Sequence, residues 1–133
     1  MTAAQIQKFS KLSTAKLKAK AQTVFNKWIR IRDSGLPCIS CGTGQVAQAG
    51  HYLSQGHHSA LRFDELNTNG QCIRCNLFLH GNLIGYRKGL VRKIGEAAVV
   101  GLECTRKKAH RWDRFTLIDI ILKYSPILNG KPP

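Results

Sequence analysis

LPCISCGTGQVAQAGHYLSQGHHSALRFDELNTNGQCIRCNLFLHGN, residues 36–82, is the stretch that decides how this chain folds. It contains two Cys-x-x-Cys pairs, Cys38 with Cys41 and Cys72 with Cys75. Two-residue spacing lets both sulfurs of a pair reach one ion, and two such pairs supply the four thiolates of a closed tetrahedral site, so structural Zn²⁺ is expected. The gap between the pairs is longer than in a simple zinc ribbon, so the knuckles enclose an insertion. Nothing redox-like lies nearby to suggest an iron–sulfur cluster instead. Cys104 is left over and is expected to be a small core residue.

Within the insertion, residues 45–52 read as a strand that ends near His51. Gly56, His57 and His58 mark a loop, residues 61–63 a second short extended piece, and Asn69-Gly70 a turn. After the second knuckle a short helix is expected to run to about His80, with Gly81 as its stop.

Outward from this centre the pattern is helical. Residues 1 to about 34 read as one basic arm: Lys8, Lys11, Lys16, Lys18, Lys20, Lys27, Arg30 and Arg32 all precede the first acid, Asp33. Leu17, Ala21, Val24, Phe25 and Trp28 recur at helical spacing and form its apolar face. Trp28 and Trp112 are expected in the core. On the other side Leu83, Tyr86, Leu90 and Ile94 predict a helix ended by Gly95, and residues 97–102 a short second one. Thr116 with Asp119 reads as the capping box of a last helix stopped by Pro126, beyond which the chain is expected to be loose. The expected organisation is a basic helical arm (1–35), a zinc-stapled core (36–82) and a C-terminal helical region (83–133) within one compact α+β domain.

A chain of 133 residues that is 43% hydrophobic can bury only a modest core, which a metal staple would reinforce. The formal net charge of +14 points to a polyanionic partner, with nucleic acid ahead of a membrane surface or a merely solubilising face. No apolar run could span a bilayer, and the N-terminus lacks the apolar centre of a signal peptide. An intracellular, cytoplasmic location is therefore expected, with no membrane partner.

His51, Asn67, Asn76 and His80 lie between and just after the knuckles. Cleaving a phosphodiester requires an activated water and a cation to neutralise developing charge. A neutral histidine can take the proton near pH 7, and a hard oxygen ligand can hold Mg²⁺ or Mn²⁺. Asn76 follows Cys75 directly, so a zinc knuckle would fix its position, and His80 is four residues further on. Arg62, Arg74, Arg87, Lys88, Arg92 and Lys93 are candidate phosphate contacts as a group. His57 and His58 are read as loop residues near phosphate.

The order knuckle, His, Asn, knuckle, helix residue resembles that of His-Asn-His (HNH, or His-Me finger, ββα-metal) nucleases, including phage Holliday-junction endonucleases whose asparagine also follows the last zinc cysteine. Leu36-Pro-Cys-Ile-Ser-Cys-Gly42, Ala49-Gly-His-Tyr52, Leu61-Arg-Phe63, Gln71-Cys72, Cys75-Asn76, Gly81-Asn82, Tyr86-Arg87, Arg92-Lys-Ile-Gly95 and His110-Arg-Trp112 are similar to the NinG/Rap family of lambdoid phages. That resemblance runs from about residue 20 to 115. It implies His51 as general base, Asn67 as the central residue that holds the catalytic loop, and Asn76 as ligand of the catalytic divalent ion. Many nucleases of the class carry an aspartate just before the base, where this chain has Gly50; His80, Asp64 or Glu65 is then the expected second ligand, with His80 preferred. Family members are expected to be longer at the N-terminus, with a cysteine-rich segment where this chain starts on its basic helix.

The function so implied is a divalent-metal-dependent endodeoxyribonuclease that nicks branched recombination intermediates, Holliday junctions and D-loops, in the host cytoplasm or nucleoid. The alternatives are a non-catalytic zinc-knuckle DNA-binding protein and an RNA-directed nuclease. Symmetric cutting of a four-way junction needs two active sites, so a homodimer is also expected.

Overall fold

The computed structural model describes residues 1–105 and 109–125. In chain order its elements are α1 (Ala3–Ser10), α2 (Thr14–Arg32), β1 (Gln48–His51), β2 (Thr68–Gln71), α3 (Leu83–Ile94), α4 (Glu96–Thr105) and α5 (Arg114–Tyr124). A 3₁₀ turn at Ser59–Leu61 and a π-helical turn at Arg74–Phe78 interrupt the loops. Helices and a small antiparallel sheet thus make up the α+β pattern. Two compact units divide the chain, one drawn from Ile29–His110 and the other from Met1–Trp28 with the residues that begin at Arg111. No helix among the described residues is long and apolar enough to cross a membrane.

The unit of Ile29–His110 is organised around the two strands, which pair antiparallel with Gln48 opposite Gln71, Gly50 opposite Asn69 and His51 opposite Thr68. β2 is buried along its whole length. Asn69-Gly70, expected as a turn, lies inside this strand, because its polar groups are taken up by distant partners. Asn69 Nδ2 donates to the Tyr86 hydroxyl (3.2 Å), its Oδ1 accepts from Lys93 Nζ (2.6 Å), and the Gly70 N–H donates to Asp33 Oδ2 (2.8 Å). These bonds outweigh the local turn preference. Arg32, at the end of α2, secures the same strand by donating to the carbonyls of Glu65 and Thr68 and by a two-pronged pair with Asp33. Burial alone pushes the Asp33 carboxyl up, but bonds from Arg32 and Gly70 more than offset this and hold it below the usual carboxylate range.

The strand expected over residues 45–52 is shorter, and residues 61–63 are not extended. Amide groups there turn back three residues, as in Leu61 N–H to His58 O (2.9 Å), while Leu61 and Phe63 bury their side chains. The helix after the second knuckle stops at Phe78, and the chain then passes through three left-handed residues, His80, Gly81 and Asn82.

α3 follows the apolar spacing read from the sequence and ends at Gly95. It lies against the first knuckle through two glycines one turn apart. A Cβ on Gly89 would stand 1.9 Å from Ile39 O, and one on Gly85 2.4 Å from Ser40 O, so only glycine allows this approach. Tyr52, Leu61, Tyr86, Leu90, Val99 and Leu102 form the buried core that joins α3, α4 and the strand region.

In the other unit the expected single helical arm is two helices. Ser13 Oγ accepts from Lys16 N–H (3.2 Å) and starts α2 afresh after α1. Leu17, Ala21 and Phe25 of α2 are fully buried, as the apolar stripe requires. The Phe25 and Trp28 rings each meet the Tyr124 ring edge-on at 5.0 Å. The cap of α5 is Asp113, whose carboxylate accepts from Thr116 N–H (2.8 Å), rather than Thr116 itself. The Pro126 stop and the loose C-terminus fall outside the described residues.

Candidate active site and metal centre

The sulfurs of Cys38, Cys41, Cys72 and Cys75 all lie within 4.8 Å of one another, and Cys41 and Cys72 are 3.9 Å apart. A tetrahedral Zn²⁺ with Zn–S bonds of about 2.3 Å separates its sulfurs by about 3.8 Å, so the cluster has the dimensions to hold one zinc ion. Each knuckle turns a backbone amide onto sulfur: Gly44 N–H reaches Cys41 Sγ (3.3 Å) and Cys75 N–H reaches Cys72 Sγ (3.4 Å). Asn82 Nδ2 adds a third donor, to Cys75 Sγ at 3.4 Å. The N–H groups of Thr43 and Gly44 pull the Cys41 thiol down to about 6, so it is a thiolate at neutral pH. Burial pushes Cys75 the other way, to about 12, which a bound cation would reverse. Cys104 is exposed on α4 and outside the cluster, contrary to its expected place in the core.

The knuckles position the catalytic candidates. His51, Asn76 and His80 line one open cleft of about 390 Å³, together with Ser54, Gln55 and His58. His51 ends β1, and its Nε2 stands 2.9 Å from Arg62 O. A carbonyl can only accept, so Nε2 carries the proton and Nδ1 is left as the acceptor of the neutral ring. Burial lowers the His51 pKa below the ordinary imidazole value, and the Arg62 charge adds to that effect while the bond to its carbonyl opposes it. The ring is therefore neutral at pH 7.

Asn76 sits in the π-helical turn, where its N–H bonds Cys72 O (3.0 Å) and ties it to the second knuckle. Its Nδ2 donates to Gln48 Oε1 at 2.7 Å, which leaves Oδ1 as the uncommitted atom, 3.1 Å from where a Cβ on Gly50 would stand. His80 does not continue a helix face from Asn76, as expected; it reaches the same cleft from a left-handed turn at φ 52°. Of the other residues considered as second ligand, Asp64 accepts on Oδ1 from the Leu66 and Asn67 N–H groups, and neither it nor Glu65 lines the cleft.

Asn67 is fully buried and makes three bonds across a loop. Its Oδ1 accepts from Leu53 N–H (3.0 Å), and its Nδ2 donates to Leu53 O (3.0 Å) and Leu61 O (3.4 Å). The segment held in this way carries Arg62, whose carbonyl orients His51. Two residues that sequence reasoning passed over complete the support. The Tyr86 hydroxyl donates to Gly50 O at 2.7 Å, one residue from His51, and Gln48 fixes Asn76. Tyr86 was legible only as part of an apolar stripe, because its hydroxyl partner is 36 residues away.

Of the candidate phosphate contacts, Arg74, Lys88, Arg92 and Lys93 are exposed. Arg87 forms a two-pronged pair with Glu103 at 3.0 Å, which also accepts from the Tyr52 hydroxyl, and Lys93 is bound to Asn69 and Asp33. Arg62 is partly buried, with its guanidinium 5.9 Å from the Phe63 ring centroid.

A family model described as "Bacteriophage Lambda NinG protein" matches residues 2–129. Protein ninG of Salmonella phage P22 is 50% identical over 95 residues, which cover 70% of this chain and 46% of that protein. Protein ninG of Escherichia phage 933W is 47% identical over 95 residues (70% of this chain, 47% of that protein), and that of Escherichia phage lambda 46% over 95 (70% and 46%). The chain thus spans about half the length of the curated relatives it matches. No solved structure matches it. Because the family model runs almost from end to end, and the aligned length in the relatives exceeds that of the cysteine-bounded centre alone, the chain belongs to the NinG family.

Proposed function

We propose that this chain is a DNA endonuclease with a His-Me finger (ββα-metal) centre, which nicks branched recombination intermediates such as Holliday junctions and D-loops. The observation that carries the reading is the shared cleft of His51 and Asn76, in which each side chain is fixed by a partner on its far atom and keeps its reactive atom free.

In this reading Nδ1 of the neutral His51 takes the proton of the attacking water. The Arg62 carbonyl accepts from Nε2–H, which fixes the ring and stabilises the imidazolium as it forms. Asn76, with His80, would hold a Mg²⁺ or Mn²⁺ ion beside the scissile phosphate. Such a cation, when bound, neutralises the charge that develops on the phosphoryl group and the leaving 3′ oxygen. Neither donor is charged, so waters and the anionic oxygens of the DNA phosphate would have to complete the coordination of such a hard ion. Asn67 holds the loop behind His51, and the exposed Arg74, Lys88 and Arg92 contact the DNA backbone. Two copies would cut the two strands of a junction, in the host cytoplasm or nucleoid.

The test is a cleavage assay on synthetic four-way junction, D-loop, linear duplex and RNA, with Mg²⁺, Mn²⁺ or EDTA. The reading predicts nicks in branched DNA that carry 5′-phosphate and 3′-hydroxyl ends and disappear with EDTA. Junction binding without nicking under every metal condition would make the chain a zinc-knuckle binding module, and preferential RNA cutting would redirect the substrate.

A further inference from the structure

We infer that the side-chain oxygen of Gln71 is a ligand of the catalytic divalent cation, and supplies from β2 the oxygen that Gly50 does not supply from β1. The cation's use in cleavage rests on the function proposed above, whereas the binding site rests on the following geometry.

Gln71 is the last residue of β2 and has no exposed surface. Its Nε2 donates to Ser40 Oγ (2.7 Å) and Gly81 O (2.8 Å). These bonds fix the direction of the amide, since the reverse orientation would set its oxygen against the Gly81 carbonyl. Oε1 is left buried with no hydrogen-bond partner among the described residues. A buried carbonyl oxygen without a donor is costly, and native proteins rarely leave one so.

The orphaned oxygen points at Gly50. A Cβ on Gly50 would lie 1.7 Å from Gln71 Oε1 and 3.1 Å from Asn76 Oδ1. The amide nitrogen of Asn76 is likewise committed elsewhere, to Gln48. Two carbonyl oxygens therefore approach the same side of Gly50, one residue along β1 from His51, and neither has a hydrogen-bond donor among the described residues. Their dipoles repel until something electropositive separates them. A hard divalent cation accepts such amide oxygens together with waters. Glycine at position 50 is a condition of the arrangement, because any side chain there would displace Oε1. The other occupant this chemistry allows is an ordered water that donates to both oxygens.

The test measures Mn²⁺ binding to the full, zinc-loaded chain by the loss of the free-ion electron paramagnetic resonance signal, without DNA. Gln71→Glu keeps the oxygen and adds charge, so where it folds despite setting its second oxygen against Gly81 O it should tighten Mn²⁺ by about tenfold, and Gln71→Ala should weaken it by about tenfold or more. Gly50→Asp in the Gln71→Ala background should recover the affinity, since the smaller residue 71 opens room for a carboxylate. Zinc content and circular dichroism establish that each variant is folded, and Gln71→Glu carries the test if Gln71→Ala is not. Variants with wild-type affinity, or a wild-type chain that binds no Mn²⁺ in the millimolar range, overturn the assignment; the first result leaves only an ordered water. If Mn²⁺ affinity follows the Gln71 series but no DNA is cut, the cation site stands and the nuclease reading falls. If His51→Ala abolishes cutting while the Gln71 variants bind Mn²⁺ as the wild type does, the reverse holds.

Discussion

Replacing Asn67 separates a structural network from a simple turn-former. Asn67→Ala leaves Leu53 N–H and Leu53 O without partners, each lost from a bond of 3.0 Å, and takes from Leu61 O one of its two donors, Asp64 N–H (3.3 Å) remaining. Leu61 is buried and Leu53 half-buried, so water recovers only part of the loss. With each unsatisfied buried group costing about 1–3 kcal/mol, the variant should lose about 3 kcal/mol. That loss corresponds to a fall in Tm of about 10 °C. Asn67→Asp is the informative control. Aspartate replaces asparagine well in turns, but here it would point a carboxylate oxygen at the Leu53 and Leu61 carbonyls. It should therefore cost at least as much as alanine. Urea unfolding of the zinc-loaded protein, followed by circular dichroism, measures both. If both variants lie within about 1 kcal/mol of the wild type, the reasoning is refuted and Asn67 shapes only a turn.

Three further outcomes follow from the geometry. A mercurial reagent should release one zinc per chain, and chelation should unfold the unit of Ile29–His110, because structural zinc contributes about 10–16 kcal/mol, comparable to or above the stability of an ordinary domain; a chelated protein with an unchanged melting curve contradicts the zinc site. Burial lowers the His51 pKa, so the base is lost only as pH falls through a value below 6.5; kcat/KM for junction cleavage should be flat above that value and decline below it, and a profile still rising above pH 7 argues for a different base. Lys88→Gln and Arg92→Gln should each reduce the slope of log binding constant against log salt by about 0.9, whereas Lys93→Gln should chiefly lower Tm, since Lys93 is bound to Asn69 and Asp33; equal effects on the slope from all three would remove the distinction.

The parts of the fold that were legible in the sequence are those set by local spacing. The Cys38–Cys41 and Cys72–Cys75 pairs announce their cluster because two residues are enough to bring two sulfurs to one ion, and α3 shows its apolar stripe and its Gly95 stop. Features settled by distant partners are not legible in this way. Asn69-Gly70 has the composition of a turn, but Asp33, Tyr86 and Lys93 draw it into a strand. The break before α2 is hard to see in the sequence because one lysine-rich stripe obscures the cap at Ser13. In the site, His51, Asn76 and His80 were named by order along the chain and do line one cleft. Gln71 and Tyr86 were not singled out for the site, since a buried glutamine or tyrosine declares its role only through what it faces. Charge alone likewise cannot distinguish Arg87 and Lys93, which are bound to partners within the protein, from Lys88 and Arg92.

The most direct test of the account is a single-turnover cleavage of a four-way junction by His51→Ala and wild-type protein, each at saturating concentration with Mg²⁺, beside junction binding measured in EDTA. The account predicts that the substitution slows cleavage by at least about 100-fold, the range of a lost general base, and leaves binding unchanged. A variant that cuts as fast as the wild type would contradict it.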